Sequence, residues 1–226
     1  MKRLLRVLGA MAFAVVLVAP AQAAPMVFFT DASFLAAAGS GLTFEGFETA
    51  TQAGNVVTFP GGTFSCAGTS FCSSFFGVSA FSDTGFNSVA FSTDDTATFA
   101  LSAPVTAFGL AIGGAGDVAP LTLTALLSNG SSVTALGPGF TGPGGVVFGS
   151  NRQFFGVIDT VPFLTVTFSG SNFRDGIYFD TMSRGLAAPT VVPEPASLLL
   201  VGSGLVAAYA RRRRSALKSS SPPAEV

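Results

Sequence analysis

The strongest constraint on this chain is a two-residue rhythm of apolar side chains in short runs. Val105–Ile112 and Leu121–Leu127 show it most clearly. A period of two places alternate side chains on opposite faces of an extended backbone, which defines a half-buried strand. Further strand-like runs cover Asn55–Phe59, Thr63–Cys66, Ser88–Ser92, Thr96–Leu101, Ser132–Leu136, Gln153–Ile158, Phe163–Phe168 and Ile177–Met182. Ser128-Asn129-Gly130-Ser131 separates two of them, and Asn-Gly between strands marks a tight hairpin. Gly137–Gly145 reads as a Gly/Pro-rich loop. One short helix is expected at the start, capped by Thr30 and stopped by Gly39. About ten strands without a long amphipathic helix predict an all-β fold, an antiparallel jelly-roll-like β-sandwich. The 24 Phe residues supply its inter-sheet core.

The two ends obey other rules. Lys2, Arg3 and Arg6 precede the apolar run Val7–Ala19, and Ala21-Gln22-Ala23 comes next. That order is a secretory signal peptide, a signal helix removed by signal peptidase, with cleavage expected after Ala23. Residues 24–190 then form the body. It holds ten acids against three cations, Arg152, Arg174 and Arg184, and is about seven units negative. Such a body has no basic surface for phosphates, so no nucleic acid partner is expected.

At the other end, Pro193-Glu194-Pro195 precedes the uncharged run Ala196–Ala210, then Arg211, Arg212, Arg213 and Arg214. Fifteen helical residues reach about 22 Å, short of a hydrocarbon core roughly 30 Å thick. The arginines snorkel and hold their end in the cytoplasm. Residues 196–210 are therefore expected as a marginal C-terminal transmembrane helix, and 215–226 as a cytoplasmic tail.

Val192–Pro195, Ala196–Ala210 and Arg211–Arg214 together resemble the PEP-CTERM family of sorting substrates. The resemblance implies recognition by exosortase, a membrane-embedded cysteine transpeptidase that cuts at or near the motif. It implies a membrane-anchored precursor, then release to the cell surface or extracellular matrix of bacteria that make exopolysaccharide and biofilm. Ser215–Val226 is longer than the usual end of that family. An uncut membrane anchor is the rival reading. Within the body, Phe154–Asp159, Phe163–Phe168 and Asp175–Asp180 resemble the final strands of β-sandwiches found before such tails. Phe44-Glu45-Gly46-Phe47-Glu48 resembles their first core strand. Those bodies resemble carbohydrate-binding modules, which implies exopolysaccharide as a ligand.

Candidate chemistry is sparse. With no His there is neither a Ser-His-Asp triad nor a Cys-His pair, and no enzyme activity is expected. Cys66 and Cys72, the only cysteines, are expected to form a local disulfide in an oxidising compartment. A thiol zinc site would need carboxylates as its other ligands. The one cofactor considered is structural calcium, bound by oxygen ligands. If the first and last strands lie side by side, Glu45 or Glu48 meets Asp180; Asp94-Asp95 with Asp83 is the looser candidate. The alternatives to polysaccharide binding are an adhesive matrix protein with protein partners and a polysaccharide-acting hydrolase.

Overall fold

The structure, a computed structural model, describes residues 23–68, 72–75, 87–115, 120–140, 152–171 and 175–188, with isolated positions 202, 204, 205, 208 and 209. Two units are distinct, one ending at Ala188 and one spanning Pro189–Val226.

Among its described residues the first unit is β-rich with one short helix. In order come β1 (Met26–Phe28), α1 (Asp31–Ala38), β2 (Leu42–Glu45), β3 (Thr51–Ala53), β4 (Val56–Phe59) and β5 (Gly62–Ala67). After these come β6 (Cys72–Phe75), β7 (Ser88–Ser92), β8 (Thr96–Gly113), β9 (Leu121–Leu127), β10 (Ser132–Phe140), β11 (Gln153–Gly170) and β12 (Gly176–Gly185). Every pairing is antiparallel.

β8 and β11, 18 residues each, organise the body. They pair along their length, with register shifts between Ile158, Phe163 and Thr165. Pro104 lies on β8 and Pro162 on β11 at this interruption. Proline cannot donate to the ladder, so strands tolerate it at bulges and bends. On one side of the bend the order is β3-β4-β5-β8-β11-β9-β10, here layer 1. On the other it is β1-β11-β8-β12-β7-β6, with β2 also on β12, here layer 2. The sequence runs Thr96–Leu101 and Val105–Ile112 are thus one bent strand, as are Gln153–Ile158 and Phe163–Phe168.

The inner faces meet in a phenylalanine core, giving a β-sandwich. Phe99 of layer 1 lies 5.5 Å from Phe179 of layer 2, centroid to centroid, and Phe168 lies 4.9 Å from Phe179. Phe155 and Phe168 meet edge-on at 5.7 Å. Such pairs add roughly 0.5–1.5 kcal/mol each beyond the area they bury. A second, smaller cluster lies outside layer 2. There Phe34 of α1 packs on Ala107, Phe154 and Ile158. Phe34 is fully buried over Gly109 and Gly156, which pair across β8 and β11. A side chain at either glycine would strike its ring.

The helix matches expectation. Thr30 Oγ1 accepts from Ser33 N, and Gly39, at φ 79°, ends the helix with its N–H on Leu35 O. Arg152 pairs with Asp31 at 2.7 Å in the first turn. The Asn129-Gly130 hairpin also forms, with Gly130 at φ 92° and its N–H on Leu127 O.

Three sequence readings need correction. The segment Phe44–Glu48 is not a core strand: β2 stops at Glu45, and Phe44 is 61% exposed. The chain turns there, and Phe47, at φ 59°, enters the core instead. Gly137–Gly145 is not wholly loop, since β10 continues to Phe140. β1, β3 and β6 were unforeseen; two of them are three residues long, too short to show a period.

In the second unit, residues 202, 204, 205, 208 and 209 are helical and exposed. Among the described residues no helix is long and apolar enough to cross a membrane. The signal helix lies outside the described residues, as does most of the expected span 196–210.

Candidate functional site

Pro193, Glu194, Pro195 and Arg211–Arg214 lie outside the described residues. The body's exit toward them is fixed: Ala187 N donates to Thr106 Oγ1 at 2.8 Å, and Ala188 N to Ala38 O at 2.9 Å. Cys66 sits on β5, half-buried against the core, and is disulfide-bonded. Cys72, the only other cysteine, opens β6, and its side chain is outside the described set.

The carboxylates expected at a calcium site lie on β2, just after it, and on β12. β2 does pair with β12, with Glu45 opposite Met182. Each acid, however, serves a backbone amide. Glu45 Oε1 accepts from Phe47 N at 2.9 Å, and Glu48 Oε1 from Asn87 N at 3.1 Å. Asp180, fully buried, accepts from Thr181 N at 2.7 Å, in a bulge where Thr181 has φ 47°. Among the described residues no group of three such ligands forms that could hold an ion. Asp94 and Asp95 lie in the β7–β8 turn, with Asp95 N on Ser92 O; Asp83 is outside the described residues.

Two features escaped the sequence reading. One is Asp159, 2% exposed. Its Oδ2 accepts from Ser131 Oγ at 2.7 Å and Asn129 Nδ2 at 3.1 Å, and its Oδ1 from Val161 N at 3.0 Å. Asn129 Nδ2 also donates to Val161 O at 2.8 Å. The β9–β10 turn is thereby fastened to the bend of β11. A shallow groove of about 330 Å³ lies between that turn and Ala23–Pro25, with no charged side chain in its walls.

The other feature is the outer face of layer 1, which carries rows of hydroxyls flanked by the exposed side chains of Val56 and Leu126. Register places Ser65, Thr98 and Thr167 side by side across β5, β8 and β11. The next row holds Thr96, Ser169, Thr124 and Thr134. Thr98 and Thr167 share a hydrogen bond of 3.0 Å, and Thr124 and Ser169 one of 2.9 Å. No described position on this face carries a charge, although the body is rich in acids. The available signal was a recurring Thr-x-Thr: Thr96 with Thr98, Thr122 with Thr124, Thr165 with Thr167.

The body is therefore an antiparallel β-sandwich, and among its described residues no group of three metal-ligating side chains forms. The class of tail behind the body is identified by its sequence: residues 191–214 match the family model of the PEP-CTERM protein-sorting motif. The match begins shortly after Ala188, where the body ends. No curated protein matches the sequence. Among solved structures, the chain is similar to the catalytic domain of a GH87 alpha-1,3-glucanase in complex with tetrasaccharides: 15% identity, TM-score 0.41, 71% of this chain and 31% of that one. A second is the catalytic unit of a thermostable GH87 alpha-1,3-glucanase from Streptomyces thermodiastaticus strain HF3-3: 15% identity, TM-score 0.37, 70% of this chain and 29% of that one. A third is the xylan-binding module CBM15: 12% identity, TM-score 0.32, 73% of this chain and 99% of that one. The chain spans about a third of the length of the glucanase structures it matches.

Proposed function

We propose that this is an exported protein, sorted through its C-terminal motif to the cell surface or extracellular matrix, whose body binds polysaccharide without cleaving it. The observation that carries the reading is the sorting motif at residues 191–214, behind an antiparallel β-rich body. Signal peptidase removes residues 1–23. Residues 196–210 then hold the precursor in the inner membrane, with Arg211–Arg214 on the cytoplasmic side. Exosortase cuts at or near Pro193-Glu194-Pro195 and frees the body. The disulfide at Cys66 fits an oxidising compartment outside the cytoplasm. Polysaccharide as ligand is supported by the uncharged hydroxyl face, whose groups donate and accept in the way sugar hydroxyls do.

The test is mass spectrometry of the mature protein from the exporting bacterium, with and without its exosortase. The expected ends are Ala24 and a residue close to Pro193–Pro195, with the C-terminal cut lost in the exosortase deletion. Protein that stays in the cytoplasm with both ends intact overturns the reading.

A further inference from the structure

We infer that the outer face of layer 1 is the binding surface, and that its ligand is an extended, neutral polysaccharide held through threonine and serine hydroxyls rather than by aromatic stacking. The inference rests on the polysaccharide reading above and assigns it a place and a ligand class.

The two outer faces differ in chemistry. The outer face of layer 2 is apolar where Ala107, Phe154 and Ile158 project, and α1 covers it. No described element covers the outer face of layer 1. Its exposed apolar side chains, Val56 beside Ser65 and Leu126 beside Thr167, stand on opposite flanks of the hydroxyl rows rather than as one continuous patch of the kind a protein partner covers, and none of its described positions is charged. Ten acids are distributed over the body, yet the described positions of β3, β4, β5, β9 and β10, and the layer 1 halves of β8 and β11, hold none.

The hydroxyls form a lattice. Neighbouring strands stand about 4.8 Å apart and alternate residues about 6.7 Å apart along each strand, so the rows repeat in both directions. Thr98 with Thr167, and Thr124 with Ser169, are bonded to each other across strands. That bond fixes each oxygen and leaves further donor and acceptor capacity facing outward. One sugar hydroxyl exchanged for water on such a site gains little. An extended chain meeting several rows gains by multivalency. A charge-free surface on a negative body repels anionic polymers and admits neutral ones, with little dependence on salt.

The test uses the full chain in detergent, retained on swollen cellulose, curdlan or insoluble mannan, with alginate as the anionic probe. Variants are the double Thr98→Val, Thr124→Val, which keeps strand propensity and shape, and Thr98→Lys. Phe44→Lys, on the opposite layer, is the control. The expected result is retention on at least one neutral polymer, unchanged between low and high salt. The double Val variant loses retention by about fivefold or more at unchanged melting temperature, Thr98→Lys loses it too, and the control does not. A double Val variant that binds like the parent overturns the assigned face and leaves the polysaccharide reading standing. A parent chain retained on no neutral polymer overturns the reading and the inference together. Retention on alginate alone overturns the neutral ligand. A parent dimer converted to monomer by Thr98→Lys makes the face a self-interface and overturns the inference.

Discussion

Replacing Asp159 tests whether the β9–β10 turn and the bend of β11 are one mechanical unit. Its carboxylate is 2% exposed and accepts three hydrogen bonds, from Ser131 Oγ, Asn129 Nδ2 and Val161 N. Asp159→Ala leaves the Val161 amide and the Asn129 side chain facing a space with no acceptor. Bonds to a charged acceptor are worth roughly 1.5–3 kcal/mol each, and a buried donor left unpaired costs about 1–3 kcal/mol. Ser131 rotates away and Asn129 keeps its bond to Val161 O, so the terms do not add fully. The expected loss is about 3–5 kcal/mol, a large part of a stability of order 5–15 kcal/mol. Asp159→Asn keeps one acceptor, and Ser131 can turn to accept from the new amide, so its cost is about 1–2 kcal/mol. Urea unfolding monitored by near-ultraviolet absorbance or circular dichroism measures both. At about 2–4 °C per kcal/mol for a domain of this size, the alanine variant melts roughly 6–20 °C lower. An Asp159→Ala protein within about 1 kcal/mol of the parent, or an Asn variant as damaged as the Ala one, refutes this account of the junction.

Contacts elsewhere in the chain fix further outcomes. Gly156→Ala places a Cβ 2.6 Å from the Phe34 ring and costs about 1–3 kcal/mol; in a Phe34→Ala background the added cost shrinks, which a double-mutant cycle reads. Cys66→Ser lowers stability by about 2 kcal/mol, and a reducing agent lowers the parent by the same amount in denaturant titrations. Changing Pro193, Glu194 and Pro195 to alanine leaves a heavier, uncut precursor in the membrane fraction, as seen by mass spectrometry. Calcium added to the purified chain leaves its melting temperature unchanged, because Glu45, Glu48 and Asp180 are engaged with backbone amides.

The parts of the fold written in local chemistry were readable. Thr30 and Gly39 bound the helix, and Asn129-Gly130 makes the hairpin, because capping and positive φ are decided by one or two residues. The body strands from Ser88 onward announced themselves by alternation. Pro104 and Pro162 misled in an instructive way. Proline interrupts the ladder, so each long strand looked like two, although the backbone stays extended through the bend. Phe44–Glu48 misled for another reason: the segment resembled a first core strand, but β2 stops at Glu45 and the positive φ of Phe47 sends that ring inward in place of Phe44. The Asp159 network joins residues about thirty positions apart and leaves no local pattern. The sorting motif was visible because its order of proline, apolar run and arginine is itself the signal. The hydroxyl face was present as Thr-x-Thr on several strands, but only the register shows that the threonines align.

The long bent strands have a consequence for any pull applied to the body through the chain that follows it. Tension along the chain beyond Ala188 arrives at β12, which is bonded on one flank to β8 and on the other to β7 and β2. A pull along β12 strains those ladders in shear, where many bonds share the load, instead of peeling them one at a time. Because β8 continues through the bend into the other layer, the force passes into both sheets without crossing a loop. The seam between the sheets is continuous backbone, so the two halves of the sandwich cannot be pulled apart as separate plates.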